Sequence, residues 1–104
     1  MALTGYPKEF RSMRIHSVQH ASASTDGSAA VGDVLAGDNT YFMIKVHGNV
    51  VSQSVIAKVK HKTGGIEETV EIFVGESFDG PFAQVEIASV GDVNTTALIY
   101  YQEI

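Results

Sequence analysis

From Val55 to Val74 the chain alternates apolar and polar residues twice, on either side of Thr63-Gly64-Gly65-Ile66. A period of two belongs to a strand with one buried face, and a Gly-Gly interruption belongs to a hairpin turn. With Gly64-Gly65 as the loop, Lys62 stands opposite Glu67, His61 opposite Glu68, Val59 opposite Val70, Lys58 opposite Glu71, Ala57 opposite Ile72 and Val55 opposite Val74. That register brings Lys and Glu together on the outer face and aliphatic side chains together on the inner one. Ile56 and Phe73 then face each other on the charged side. An apolar pair there is a candidate contact with another segment or another subunit.

The rest of the chain also has the period of a strand. Phe10 to His20 sets Met13, Ile15 and Ser17 against Arg14, His16, Val18 and His20. Residues 21–28 are small or polar, with a turn at Asp26-Gly27, and a loop so poor in large side chains is either mobile or pressed against something. Ala29 to Leu35 reads as a short edge strand broken at Gly32, and Tyr41 to His47 as a central strand rich in β-formers. Gly48-Asn49 turns into Val50-Val51, where a long strand begins that reaches Lys62 and bends near Ser52-Gln53-Ser54 to serve two sheets. Gly75 to Gly80 is a loop, Phe82 to Ser89 a strand with Val85 and Ile87 inward, Gly91-Asp92-Val93-Asn94 a turn, and Thr96 to Gln102 the last strand. That last strand is apolar on both sides, with Leu98 and Tyr100 on one and Ala97, Ile99 and Tyr101 on the other. One side fits a core; the other suits a subunit contact or a covering loop.

No segment has a sustained helical repeat. The expectation is therefore all-β: an antiparallel sandwich or small barrel of six to eight strands with no substantial helix, over residues 10–104, preceded by an N-terminal arm at residues 1–9. A chain of 104 residues fits one domain with one core.

Composition narrows the function more than the fold. Charged residues are 18% of the chain, below the roughly 25% of an average soluble domain, which leaves more neutral surface for protein contacts. With 12 acidic and 7 basic residues the net charge is −5, the wrong sign for a nucleic-acid partner. The basic cluster Lys58, Lys60 and Lys62 is matched by Glu67 and Glu71 in the register above. There is no cysteine, hence no disulfide and no thiolate metal site. The N-terminal residues lack the pattern of a signal peptide, and no window has the apolar length of a membrane span. Neither nucleic acid nor membrane is expected as a partner.

Candidate chemistry is sparse. The four histidines are His16, His20, His47 and His61. His16 and His20 would share a helical face, but on a strand they are about 13 Å apart, so no metal site is expected. His61 is claimed by Glu68. The turns Gly32-Asp33, Gly37-Asp38-Asn39 and Gly91-Asp92 lack the carboxylate density of a calcium loop, and Asp and Asn there stabilise turns. No nucleophile elbow or phosphate loop is present, and Glu67 and Glu68 point to opposite faces. No cofactor and no catalytic residue are expected. Asn94-Thr95-Thr96 matches a glycosylation sequon, as a Thr-rich chain does by coincidence.

The segment Gly75-Glu76-Ser77-Phe78-Asp79-Gly80-Pro81-Phe82-Ala83-Gln84-Val85-Glu86-Ile87-Ala88-Ser89, followed by Ala97-Leu98-Ile99-Tyr100-Tyr101, resembles the end of small bacteriophage virion proteins. In these a Gly-Pro/Arg-Phe element leads into a strand ending in Ala-Ser, then a Gly turn, then an apolar strand ending in Ala-Tyr. This chain departs from that pattern in its longer turn at Gly91 to Thr95 and its doubled Tyr. The resemblance implies a non-enzymatic β-sandwich that decorates or cements a capsid, or forms a spike or other head-associated part. It further implies a homo-oligomer bound to capsid or other virion subunits and located in the virion after assembly in the host cytoplasm. The candidate interface residues are Ile56, Phe73, Phe82, Leu98, Tyr100 and Tyr101. A carbohydrate- or ligand-binding module using Tyr41, Tyr100 or Tyr101 as a stacking surface is the alternative, and an enzyme built around His16, His20 or His47 is the third reading.

Overall fold

The computed structural model describes residues 13–23 and 27–102. The arm expected over residues 1–9 lies outside these, as does Asp26 of the expected turn. Seven strands follow in order: β1 (Met13–Gln19), β2 (Val34–Leu35), β3 (Thr40–His47), β4 (Ser54–His61), β5 (Glu67–Phe73), β6 (Ser77–Val90) and β7 (Thr96–Gln102). The described residues contain no helix. The chain is all-β, as its alternation requires.

The strands form one antiparallel sheet in the order β1-β7-β3-β6-β4-β5, with β2 added to β6. The organising element is β6, which is 14 residues long. Its first half pairs with β3, from Lys45 opposite Ser77 to Tyr41 opposite Phe82. Its second half pairs with β4, from His61 opposite Phe82 to Val55 opposite Val90. Phe82 is thus the residue at which the sheet passes from one half to the other.

Burial alternates along β4 and β7, and the buried side chains of β1, β3, β4, β5, β6 and β7 belong to one cluster. Ala29, Val31, Leu35, Val70, Val74 and Phe78 pack against its margin. Ile44, Val55, Ala57, Val59, Phe82, Val85, Ala97 and Ile99 are completely inaccessible.

The end of the small-residue loop, at Gly27 and Ser28, is pressed against β1. Ser28 Oγ accepts from the Ser17 amide at 2.9 Å, the Ser28 amide donates to Ser17 Oγ at 3.1 Å, and the Ala29 amide donates to the Ser17 carbonyl at 3.1 Å. Val18 and Ala29 form a parallel bridge, which partly covers the edge of β1. Gly27 is required by this approach, because a Cβ there would sit 2.3 Å from the Ser17 carbonyl oxygen.

Three expectations are corrected. First, the β4-β5 register is displaced by two residues: Lys60 stands opposite Glu67, Lys58 opposite Thr69, Ala57 opposite Val70 and Val55 opposite Ile72. A one-residue slip would turn every side chain over, whereas a two-residue slip keeps each on its face. Alternation therefore cannot choose between the two registers. Outside the hairpin, Lys62 donates its amide to the Pro81 carbonyl at 3.1 Å, and the loop before β5 contains Gly64 and Gly65 at positive φ. The contact of His61 with Glu68 survives, at 2.9 Å.

Second, β4 begins at Ser54, and Val50 to Gln53 is a turn closed by the Gln53 amide on the Val50 carbonyl. Val51 is 78% exposed there, so its β-propensity is overridden by the turn. Third, the long strand serving both halves is β6, which starts at Ser77 and runs through Gly80-Pro81. A proline in a strand argues for a boundary on sequence grounds, but this one sits where the strand changes partners and lacks a regular ladder position.

Candidate functional site

The two halves of the sheet differ on their outer faces. On β7, Ala97, Ile99 and Tyr101 point into the core, leaving Leu98 and Tyr100 outward. Cross-strand register then builds the face. Tyr100 lies between Ile15 of β1 and Met43 of β3, and Leu98 lies between Ser17 and Lys45. Met13 pairs with Gln102 one row along, and Asp79 and Ser77 of β6 stand beside Met43 and Lys45. Met13, Ile15, Leu98, Tyr100 and Met43 thus form an apolar centre with a polar margin, which is the anatomy of a protein contact surface. Ile15 is 51% exposed in the middle of its strand.

The outer face of the other half is a charge ladder. Lys58 stands between Thr69 and Glu86, and Lys60 between Glu67 and Gln84. Its apolar members, Val34, Ile56 and Phe73, are each paired with polar or charged residues. Ile56 stands between Glu71 and Ser89, and Phe73 stands opposite Ser54 at the end of β5, so the two are diagonal neighbours and do not face each other. Ser54 Oγ donates to Glu71 Oε2 at 2.6 Å, which ties this ladder together.

The six candidate interface residues therefore separate. Leu98 and Tyr100 lie on the apolar outer face. Phe82 and Tyr101 are in the core, with 0% and 9% exposure, and have no surface to offer a partner. Phe82 stacks on Phe78 at 5.6 Å and meets the His61 ring at 5.2 Å. Ile56 is half-buried among charged neighbours, and Phe73 is the exposed end of that face. Met13, Ile15 and Met43 were missed by sequence reasoning, because they join the patch only through pairing between strands distant in the chain. For Met13 and Ile15 the signal was the alternation in β1, which does not show which side faces outward.

The same burial removes most of a stacking platform. Tyr41 is 1% exposed and donates its hydroxyl to the Ala36 carbonyl at 3.1 Å, and Tyr101 packs against it at 5.6 Å between ring centroids. Only Tyr100 of the three candidate tyrosines faces outward. The histidines are separately engaged: His16 stacks on Tyr101 at 4.5 Å and its Nδ1 lies 3.2 Å from Ser28 Oγ, while His20 Nδ1 accepts the Ser22 amide. His47 ends β3 in solvent. Among the described residues no three His, Asp or Glu side chains come together as a metal-binding group would require.

A cavity of about 560 Å³ lies beside His20, Ser28, Ala30 and Asp33. Asp33 Oδ2 is occupied by the Ala30 amide at 2.9 Å and helps fold the loop that lines the cavity. No helix of the described residues is long and apolar enough to cross a membrane. Comparison with protein-family models, with curated proteins and with solved structures finds no match to this chain.

Proposed function

We propose that this chain is a non-enzymatic structural protein that works by protein-protein contact through the outer face of β1, β7 and β3. The observation carrying this reading is the cross-strand row Ile15-Tyr100-Met43, an apolar row on the outside of a sheet whose other half is charged. Exposed apolar centres with polar margins are where soluble proteins meet partners. The resemblance of residues 75–101 to small phage head-associated proteins supports a virion as the assembly, with capsid or other virion subunits as partners. Within that reading the charge ladder is the solvent side and the apolar face the docking side.

The test is to identify the neighbouring genes and, where one encodes a shell protein, to co-express the two and sediment the assembled shells. Wild-type chain is expected to travel with the shells, and Ile15→Lys to be left behind. A gene neighbourhood without shell, portal or tail proteins, or a chain that never sediments with shells, would count against the virion reading.

A further inference from the structure

We propose that the apolar outer face also receives a second copy of this chain, forming a two-fold dimer in which Lys45 of each copy meets Asp79 of the other. This rests on the reading above and names one occupant of its surface. Three features point to self-association. The chain carries a net charge of −5, yet among the described residues the margin of the face sets a cation, Lys45, beside an anion, Asp79. Two copies meeting there do not bring the excess negative charge together.

Those two residues are also placed for reciprocity. Met43 pairs with Asp79, and Lys45 pairs with Ser77, so Lys45 and Asp79 are diagonal neighbours across β3 and β6. No ion pair joins them within the chain among the described residues. A two-fold axis lying in the interface, crossing the face near Tyr100 and passing midway between Lys45 and Asp79, exchanges their positions. Each copy's cation then sits opposite the other's anion, and the contact is made twice, as an isologous interface requires. The centre of the face is the row Ile15, Tyr100 and Met43, of which Ile15 is 51% exposed.

Size sets the strength. Four strands spaced ~4.8 Å apart and seven residues rising ~3.3 Å each give a footprint of about 450 Å². Standard stable interfaces bury about 800 Å² per partner, so the contact belongs with weak, reversible ones. Such a dimer forms and dissociates across the micromolar range.

Sedimentation velocity over concentrations from about 1 μM to about 1 mM reads the equilibrium directly. Wild type is expected to pass from monomer to dimer. Lys45→Asp and Asp79→Lys are each expected to raise the dissociation constant about tenfold or more, because like charges then face each other twice. The double variant K45D/D79K restores the pairing in reverse and is expected to return close to the wild-type constant. Both positions are outward, and circular dichroism checks that each variant is folded. A wild type monomeric throughout, single variants that dimerise as wild type does, or a double variant no better than the singles would overturn the proposal. A monomer that still sediments with shells refutes the dimer and leaves the virion reading standing. A dimer rescued by the double variant but indifferent to shells does the reverse.

Discussion

Phe82→Ala tests the core packing at the junction of the two halves of the sheet. Phe82 is completely buried at the point where β6 leaves β3 and joins β4, opposite Tyr41 on one side and His61 on the other. Removing a buried phenyl ring from a packed core costs about 3–5 kcal/mol in lost transfer energy and cavity formation. The stack on Phe78 at 5.6 Å is lost with it, so the cost belongs in the upper half of that range, the aromatic pair alone contributing about 1 kcal/mol. A domain of this size has a total stability of about 5–15 kcal/mol, so the variant stays folded except near the low end of that range. In urea, with a slope of about 2 kcal/mol per molar, the midpoint should fall by about 2 M. Tyr100→Ala, on the outer face, should move the midpoint of the monomer by less than about 0.5 M. If Phe82→Ala shifts the midpoint no more than Tyr100→Ala does, Phe82 is not a core residue and the junction drawn at β6 is wrong.

Further substitutions probe individual features. Thr95 is completely buried and its Oγ1 has no hydrogen-bond partner, so Thr95→Val should stabilise the chain by about 1 kcal/mol in the same urea assay, and a loss would show that the hydroxyl is satisfied. Gly27→Ala forces a Cβ against the Ser17 carbonyl; the expected cost is about 1–3 kcal/mol, with faster hydrogen exchange at the Ala29 amide, and unchanged exchange would contradict the packing of that loop. The hairpin register is read by oxidation of paired cysteines in this cysteine-free chain: Lys58→Cys with Thr69→Cys should cross-link readily, and Lys58→Cys with Glu71→Cys should not. Glu68→Gln should cost under about 1 kcal/mol, because His61 and Glu68 are 39% and 54% exposed and solvent screens their contact.

Much of the fold was written locally. The last strand has the predicted bounds, Thr96 to Gln102, and Val85 and Ile87 are inward as their spacing requires. Inner and outer sides of β4 and β5 were legible because burial enforces the period of two. Their register was not, since displacement by two residues leaves every side chain on its own face. What decides it lies elsewhere: His61 and Lys62 are held by β6 at Phe82 and Pro81, residues that the local pattern of the hairpin does not contain.

The candidate site shows the same division. Leu98 and Tyr100 were recognisable as the second apolar side of one strand. Ile15 and Met43 were not, because their neighbours across the sheet come from opposite ends of the chain. Phe82 and Tyr101 stand among the interface candidates on sequence, since alternation alone does not say which side of a strand is inward. Only the pairing of distant strands and the burial it produces show that they are enclosed.

Amide chemical-shift mapping over a concentration series tests the outer face most directly. Shifts that grow with concentration and stay within residues 13–17, 43–45, 77–79 and 98–102 are the predicted result. Shifts along the charge ladder at residues 54–60 and 67–73, or no dependence on concentration, would contradict the assignment of that face to contact with a second copy.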